Sequence, residues 1–205
     1  DLASKPLKTV EKHPVLESDK ALKEAFKLPS IEYHDPYFKA AGNRIMTPEV
    51  FQSQLDWLKT SDCYTPTAQE VAGYLKGEKN LPFNSAVLRF DLGTDKINPE
   101  TQKSVWFEIF KELKERNLHA LVFLIPTTIG SLTEKGGLTW SDITDYIKSG
   151  TISVCSHGLA DHPDYRHIST DYALSSMLDS KEKISQSLKE AGVDNYSVLG
   201  FAFPF

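Results

Sequence analysis

From about residue 28 onward, apolar and polar positions alternate between two rhythms. Short apolar runs bounded by turn residues are separated by stretches with apolar residues every three or four positions. Pro29-Ser30-Ile31-Glu32-Tyr33-His34 predicts a first strand. Thr47-Pro48-Glu49-Val50 opens a helix, with Thr47 as N-cap, Pro48 at the first helical position and an acid in the first turn. Its apolar face is Val50, Phe51, Leu55 and Leu58. Thr67-Ala68-Gln69-Glu70 is a capping box ahead of Val71, Tyr74 and Leu75, and Gly77 stops that helix. Ser85 to Phe90 is the next strand. Pro99 to Asn117 is the strongest helix, with Val105, Trp106, Ile109, Phe110 and Leu113 on one face. His119 to Ile125 is apolar enough to be a strand buried on both faces. A short helix over 139–148, a strand over 152–156, a long helix over 172–191 and a last strand over 198–205 complete the pattern. The long helix points Leu174, Leu178, Ile184 and Leu188 inward, and Gly192 ends it.

Strands alternating with helices predict an α/β fold with a parallel sheet, either doubly wound or closed into a barrel. The glycine-rich phosphate turn of a dinucleotide fold is missing, because Gly93 stands alone after its strand. In both architectures chemistry gathers at the C-terminal ends of the strands. Five such ends are His34, Asp91, Pro126, His157 and Pro204.

Composition narrows the function. With 205 residues the chain is one domain with a sizeable core. Residues 1–27 read as a charged N-terminal arm, and 28–205 as the domain. A net charge of -5 gives no electrostatic case for nucleic acid or an anionic membrane surface. No apolar run reaches the ~18 residues of a membrane helix, so no transmembrane segment is expected. The first residues carry no signal-peptide core. Cys63 and Cys155 lack metal or redox spacing, and Cys155 reads as a small core residue. A serine-hydrolase reading has no GxSxG elbow.

Candidate chemistry sits in two places. "SHGLADHPDY" follows the strand of Cys155, and its His157 and His162 are imidazoles able to meet on one divalent ion across a loop. Asp161 and Asp164 beside them are either supporting partners or solvated, while His167 reads as a surface residue. "AVLRFDLGTD" delivers Asp91. That carboxylate has two open readings: a structural one, through backbone caps or an ion pair with Arg89, and a catalytic one. His34 in "EYHDPY" is likewise either a hydrogen-bonding core residue or part of a site. A metal-activated water needs a Lewis acid, a base for its proton and an acid for the leaving group, and these strand ends supply all three residue types.

In order along the chain, "EYHDPY", "MTPEVFQSQLDWLKTSDCYTPTAQEV", "NLPFNSAVLRFDLG", "HALVFLIPTTIG", "LTWSDITDYIKSGTISVCSHGLADH" and "FAFPF" resemble the motifs of the polysaccharide deacetylases, carbohydrate esterase family four. Within that family the resemblance is to the poly-N-acetylglucosamine deacetylases of bacterial biofilm systems. It implies a distorted, incomplete (β/α) barrel, an open groove and a divalent metal, with zinc first and nickel, cobalt or iron as alternatives. It also implies an extracellular or cell-envelope setting and an amino-sugar polysaccharide as substrate. Carried over residue by residue, Asp91 takes the place of the catalytic base, His157 and His162 are metal ligands, and His34 is the general acid. Trp140, Phe203 and Pro204 line or support the groove.

Two departures stand out. The family's FDDG pair has a base followed by a metal-ligand Asp, and the second position here is Leu92. Asp91 is then drawn toward the ligand role as well as the base role, and Asp95 is a distant substitute. An Asp at position 92 is expected to raise metal affinity. A rival reading follows, a weakened or inactive homologue that binds glycan or a partner protein. The sequence also stops just after the proline motif, so the expectation is either a fragment or a barrel completed by a partner chain.

Overall fold

The protein's structure, a computed structural model, describes residues 27–34, 46–92, 99–130, 137–160 and 164–203. Residues 1–26 of the arm, and with them His13, lie outside the described residues, as do Asp95, Asp161, His162 and Pro204. Four strands form one parallel sheet in chain order: β1 (Ser30–His34), β2 (Val87–Leu92), β3 (Ala120–Leu124) and β4 (Ile152–Ser156). Sequential order without a reversal is how a barrel wall is wound, whereas a doubly wound sheet reverses direction at a switch point. The fold is therefore α/β, with the distorted, incomplete barrel that the sequence predicts.

The helices are α1 (Pro48–Thr60), α2 (Ala68–Leu75), α3 (Pro99–Glu115), α4 (Trp140–Lys148) and α5 (Thr170–Glu190). Two begin as the sequence predicts, at Thr47 and Thr67, and a third is capped by Thr139, which the sequence reading places inside its helix. Each threonine accepts a backbone N–H of the first turn, and Glu70 and Asp142 return the bond to complete capping boxes. Glu70 also holds Tyr64 and Lys79, each at 2.7 Å. Burial alone would raise its carboxyl pKa, but these partners and the Thr67 N–H pull it down to about 2.

Strand alternation divides the core in two. Tyr33, Leu88, Phe90, Leu92, Val122, Leu124 and Val154 face the helices, where they meet Phe51, Leu55, Trp106, Phe110, Ile143, Ile184 and Leu188. Val87, Leu121, Phe123 and Cys155 face the other way, into the barrel, with Ala68 and Ala202. Burial pushes the Cys155 thiol up to about 12, as expected for an inert core cysteine. Ala68, the first residue of α2, is tied across the barrel's lower end by its N–H to Ser153 Oγ. His119 completes that lower network through Gly150 O at 2.7 Å and Ser153 Oγ at 2.9 Å, which makes it a structural residue.

Four sequence expectations need correction. β2 runs two residues past Phe90, through Asp91 and Leu92. Val50 and Leu75 are exposed, because their helices are short and turn only a narrow stripe inward. Leu174 and Leu178 are also exposed, while Ser176 and Ser180 take the buried positions of α5. The reason is close approach: Ser180 Oγ lies 2.6 Å from Ser156 Oγ of β4, where a leucine would not fit. Finally, the described part of 198–205 is an isolated bridge, Ser156 with Phe201, and not a full strand. It is held by Ser156 N–H to Gly200 O and Ala202 N–H to Ser156 O. Beside it, the Tyr196 hydroxyl accepts from Val154 N–H at 2.5 Å and donates to Val154 O at 3.0 Å.

Candidate active site

Asp91 and His157 meet inside the barrel mouth. β2 presents Arg89 and Asp91 on the interior face, two residues apart, and Leu92 on the opposite face. His157 follows β4 directly, and its N–H to Leu124 O extends the ladder by one residue. Both side chains are almost fully buried, at 4% exposure each, and Asp91 Oδ2 stands 3.9 Å from His157 Nε2. In chain order these groups are 66 residues apart, and the parallel register brings them together.

The orientation of His157 is fixed from behind. Its Nδ1 lies 2.9 Å from Ala202 O. A carbonyl only accepts, so Nδ1 carries a proton, and Nε2 is the ring nitrogen turned toward Asp91. An Nδ1–H held by a backbone carbonyl is the support that a metal-binding imidazole needs. Gly158 then reverses the chain at a φ of +102°, a conformation that disfavours side chains, and an added Cβ would meet Tyr165 Oη at 3.1 Å. On either side of the stretch containing His162, Leu159 N–H and Tyr165 Oη both bond Ser176 Oγ. Ser176 of α5 thus ties Leu159 and Tyr165 to the helix.

Asp91 is gripped by Arg89. Nε reaches Oδ1 at 2.8 Å and an Nη reaches Oδ2 at 2.6 Å, a bidentate pair. Glu32 adds a contact at 3.4 Å, and the guanidinium lies 5.0 Å over the Phe123 ring. Burial opposes the charge on Arg89, but Asp91 and Glu32 outweigh it and hold its pKa above the ordinary value. The ion-pair reading of Asp91 is therefore real, and it coexists with a position in the mouth of the barrel.

The remaining candidates divide. His34 ends β1, where the register sets its Cα beside that of Asp91. Leu92 is fully buried in the helix-facing core and directed away from His157. Trp140 is half-buried against that same core, as the first residue of α4. Phe203 is exposed and meets Tyr165 and Phe201 edge-on at 5.4 and 5.0 Å, an aromatic wall next to the Ala202 carbonyl that orients His157. Asp164 pairs with Arg166 at 2.6 Å, and His167 is 78% exposed, as its surface reading requires. Among the described residues no group of three or more His, Cys, Asp or Glu side chains gathers as a ready metal cluster. The described part of the site fits a metal through one well-oriented imidazole.

A polysaccharide deacetylase family model matches residues 78–204. No curated protein matches the chain. Among solved structures, a deacetylase from Streptococcus pyogenes, PplD in complex with acetate, is 24% identical with a TM-score of 0.67, covering 86% of this chain and 73% of its own. IcaB from Ammonifex degensii is 24% identical with a TM-score of 0.63, over 86% and 73%. BC0361, a polysaccharide deacetylase from Bacillus cereus, is 22% identical with a TM-score of 0.63, over 87% of this chain and 51% of its own.

Proposed function

Because the chain belongs to the polysaccharide deacetylase family, whose members hydrolyse carbon–nitrogen bonds other than peptide bonds, we propose that it is a metal-dependent enzyme removing N-acetyl groups from an extracellular amino-sugar polymer such as poly-N-acetylglucosamine. The observation that carries this reading is the buried meeting of Asp91 with the pre-oriented His157 at the mouth of the barrel. That the related S. pyogenes deacetylase is seen with acetate agrees with an acetyl group as the part removed.

In this reading His157 and His162 hold a divalent ion, zinc first, with nickel, cobalt and iron also suited to imidazole. Such an ion supplies polarisation of the amide carbonyl and a more acidic bound water. Asp91 accepts the proton of the attacking water. His34 protonates the departing amine. Phe203, with Tyr165 and Phe201 behind it, offers a flat apolar face to a sugar ring, and Trp140 and Pro204 support the groove. Action on an extracellular polymer places the protein outside the cell or at its envelope.

Acetate release from N-acetylglucosamine oligomers, measured with added zinc and again after chelation, tests the proposal. Release that chelation stops and zinc restores is the expected result. No release with any of the four metals, together with retained glycan binding, would replace it with the second reading. That reading is a weakened homologue that binds glycan or a partner protein, raised by the sequence through Leu92, which cannot bind a metal.

A further inference from the structure

Helix α5 carries two of its leucines on the outside. Burial strongly favours leucine, yet Leu174 and Leu178 are 55% and 58% exposed, while Ser176 and Ser180 fill the buried side. The helix cannot roll to hide them. Ser180 Oγ lies 2.6 Å from Ser156 Oγ of β4, and Ser176 Oγ is bonded by Leu159 N–H and Tyr165 Oη. These bonds pin the serine side, so the leucines face outward in the folded protein.

Their neighbours on that outer face are charged. Asp171, Leu174, Leu178 and Lys181 follow a three-four-three spacing, which is one stripe along an α-helix, and both charged residues are exposed. The stripe spans about 15 Å of helix. Its order of acid, leucine, leucine and base is complementary to its own reverse. Set antiparallel on a second copy, about a two-fold axis between Leu174 and Leu178, each Leu174 meets the partner's Leu178 and each Asp171 meets the partner's Lys181. Set parallel, Asp171 falls on Asp171 and Lys181 on Lys181, and like charges oppose that arrangement.

We propose that the chain pairs with a second copy of itself through α5, as an antiparallel two-fold contact with Leu174 and Leu178 at its centre and Asp171–Lys181 ion pairs at both ends. A contact this short belongs to the weak, transient class of interfaces. The pairing goes beyond the deacetylase reading and does not depend on it.

Sedimentation equilibrium of the full chain from about 10 µM to about 1 mM, the range of weak complexes, tests the pairing. Wild type should pass from monomer to dimer across that range. Leu178→Glu should weaken association by about tenfold or more with an unchanged circular dichroism spectrum. Asp171→Lys and Lys181→Asp each set like charges opposite one another twice per dimer, and each should weaken it by about threefold to tenfold. The protein carrying both changes exchanges the charges and should return to within about twofold of wild type. A wild type that stays monomeric to about 1 mM would overturn the proposal. So would a dimer that Leu178→Glu leaves intact, because the contact would then lie elsewhere. A charge exchange that fails to recover association would also overturn it, by excluding the antiparallel register.

Discussion

Replacing Leu92 with Asp restores, on paper, the second acid of a metal-binding pair, but the fold predicts a different outcome. Leu92 is fully buried, belongs to the helix-facing core with Trp106 and Phe110, and pairs in register with Leu124, itself fully buried. Losing a buried leucine side chain costs about 2–5 kcal/mol. The new carboxyl group would also be left without water or donors, adding about 1–3 kcal/mol even if it protonates. Together these approach the about 5–15 kcal/mol by which a whole domain is stable. Leu92→Asp should therefore lower the urea midpoint steeply, without zinc binding tighter than wild type. Leu92→Ala should show only the cavity part of the loss. Urea unfolding followed by circular dichroism, with zinc affinity measured on the same samples, separates the two contributions. A Leu92→Asp protein within about 1 kcal/mol of wild type that binds zinc more tightly would refute the reasoning, because it would show position 92 reaching the site.

Other outcomes follow from the same geometry. His157→Gln removes the oriented imidazole and should weaken zinc binding by a factor of about 10–100 or more, as read by chelator competition, while the folded signal persists. Gly200→Ala brings a Cβ to 2.8 Å from Cys155 Sγ and should cost about 1–3 kcal/mol in thermal or urea unfolding. It should also disturb the neighbouring Ala202 carbonyl that orients His157. Burial lowers the pKa of His119, and the Gly150 bond offsets this only in part. The unfolded chain therefore takes up the His119 proton first, and stability falls as pH drops from about 6.5 toward the lower folded value. The urea midpoint measured across that window should fall less in a His119→Gln variant than in wild type.

Much of this arrangement is legible in the sequence because its causes are local. Thr47 and Thr67 announce their helices through hydroxyls that act within one turn. The apolar run at 120–124 declares a strand covered on both sides. What stays hidden depends on register and close approach. A strand taken to end at Phe90 leaves Asp91 and Leu92 as a pair sharing one site. Extended by two residues, the same strand sends them to opposite faces. In α5 the leucine period suggests an inward face at Leu174 and Leu178, but a helix pressed against β4 needs small residues, and Ser176 and Ser180 fill that seam. The bidentate grip of Arg89 is foreshadowed only as an ion pair, since i and i+2 share a face in any strand. The carbonyl behind His157 comes from Ala202, 45 residues away, and no local signal marks it.

The hydroxyl of Tyr196 has a consequence for self-association. A strand at the end of a sheet offers bare N–H and C=O groups to any passing chain, and that is how many β-containing proteins begin to aggregate. On the outer side of β4, Tyr196 Oη satisfies both backbone groups of Val154, and the Gly200–Ala202 segment satisfies both of Ser156. One phenol thus stands in for a neighbouring strand just below the level where the returning chain comes alongside. The sheet is sealed to outsiders there.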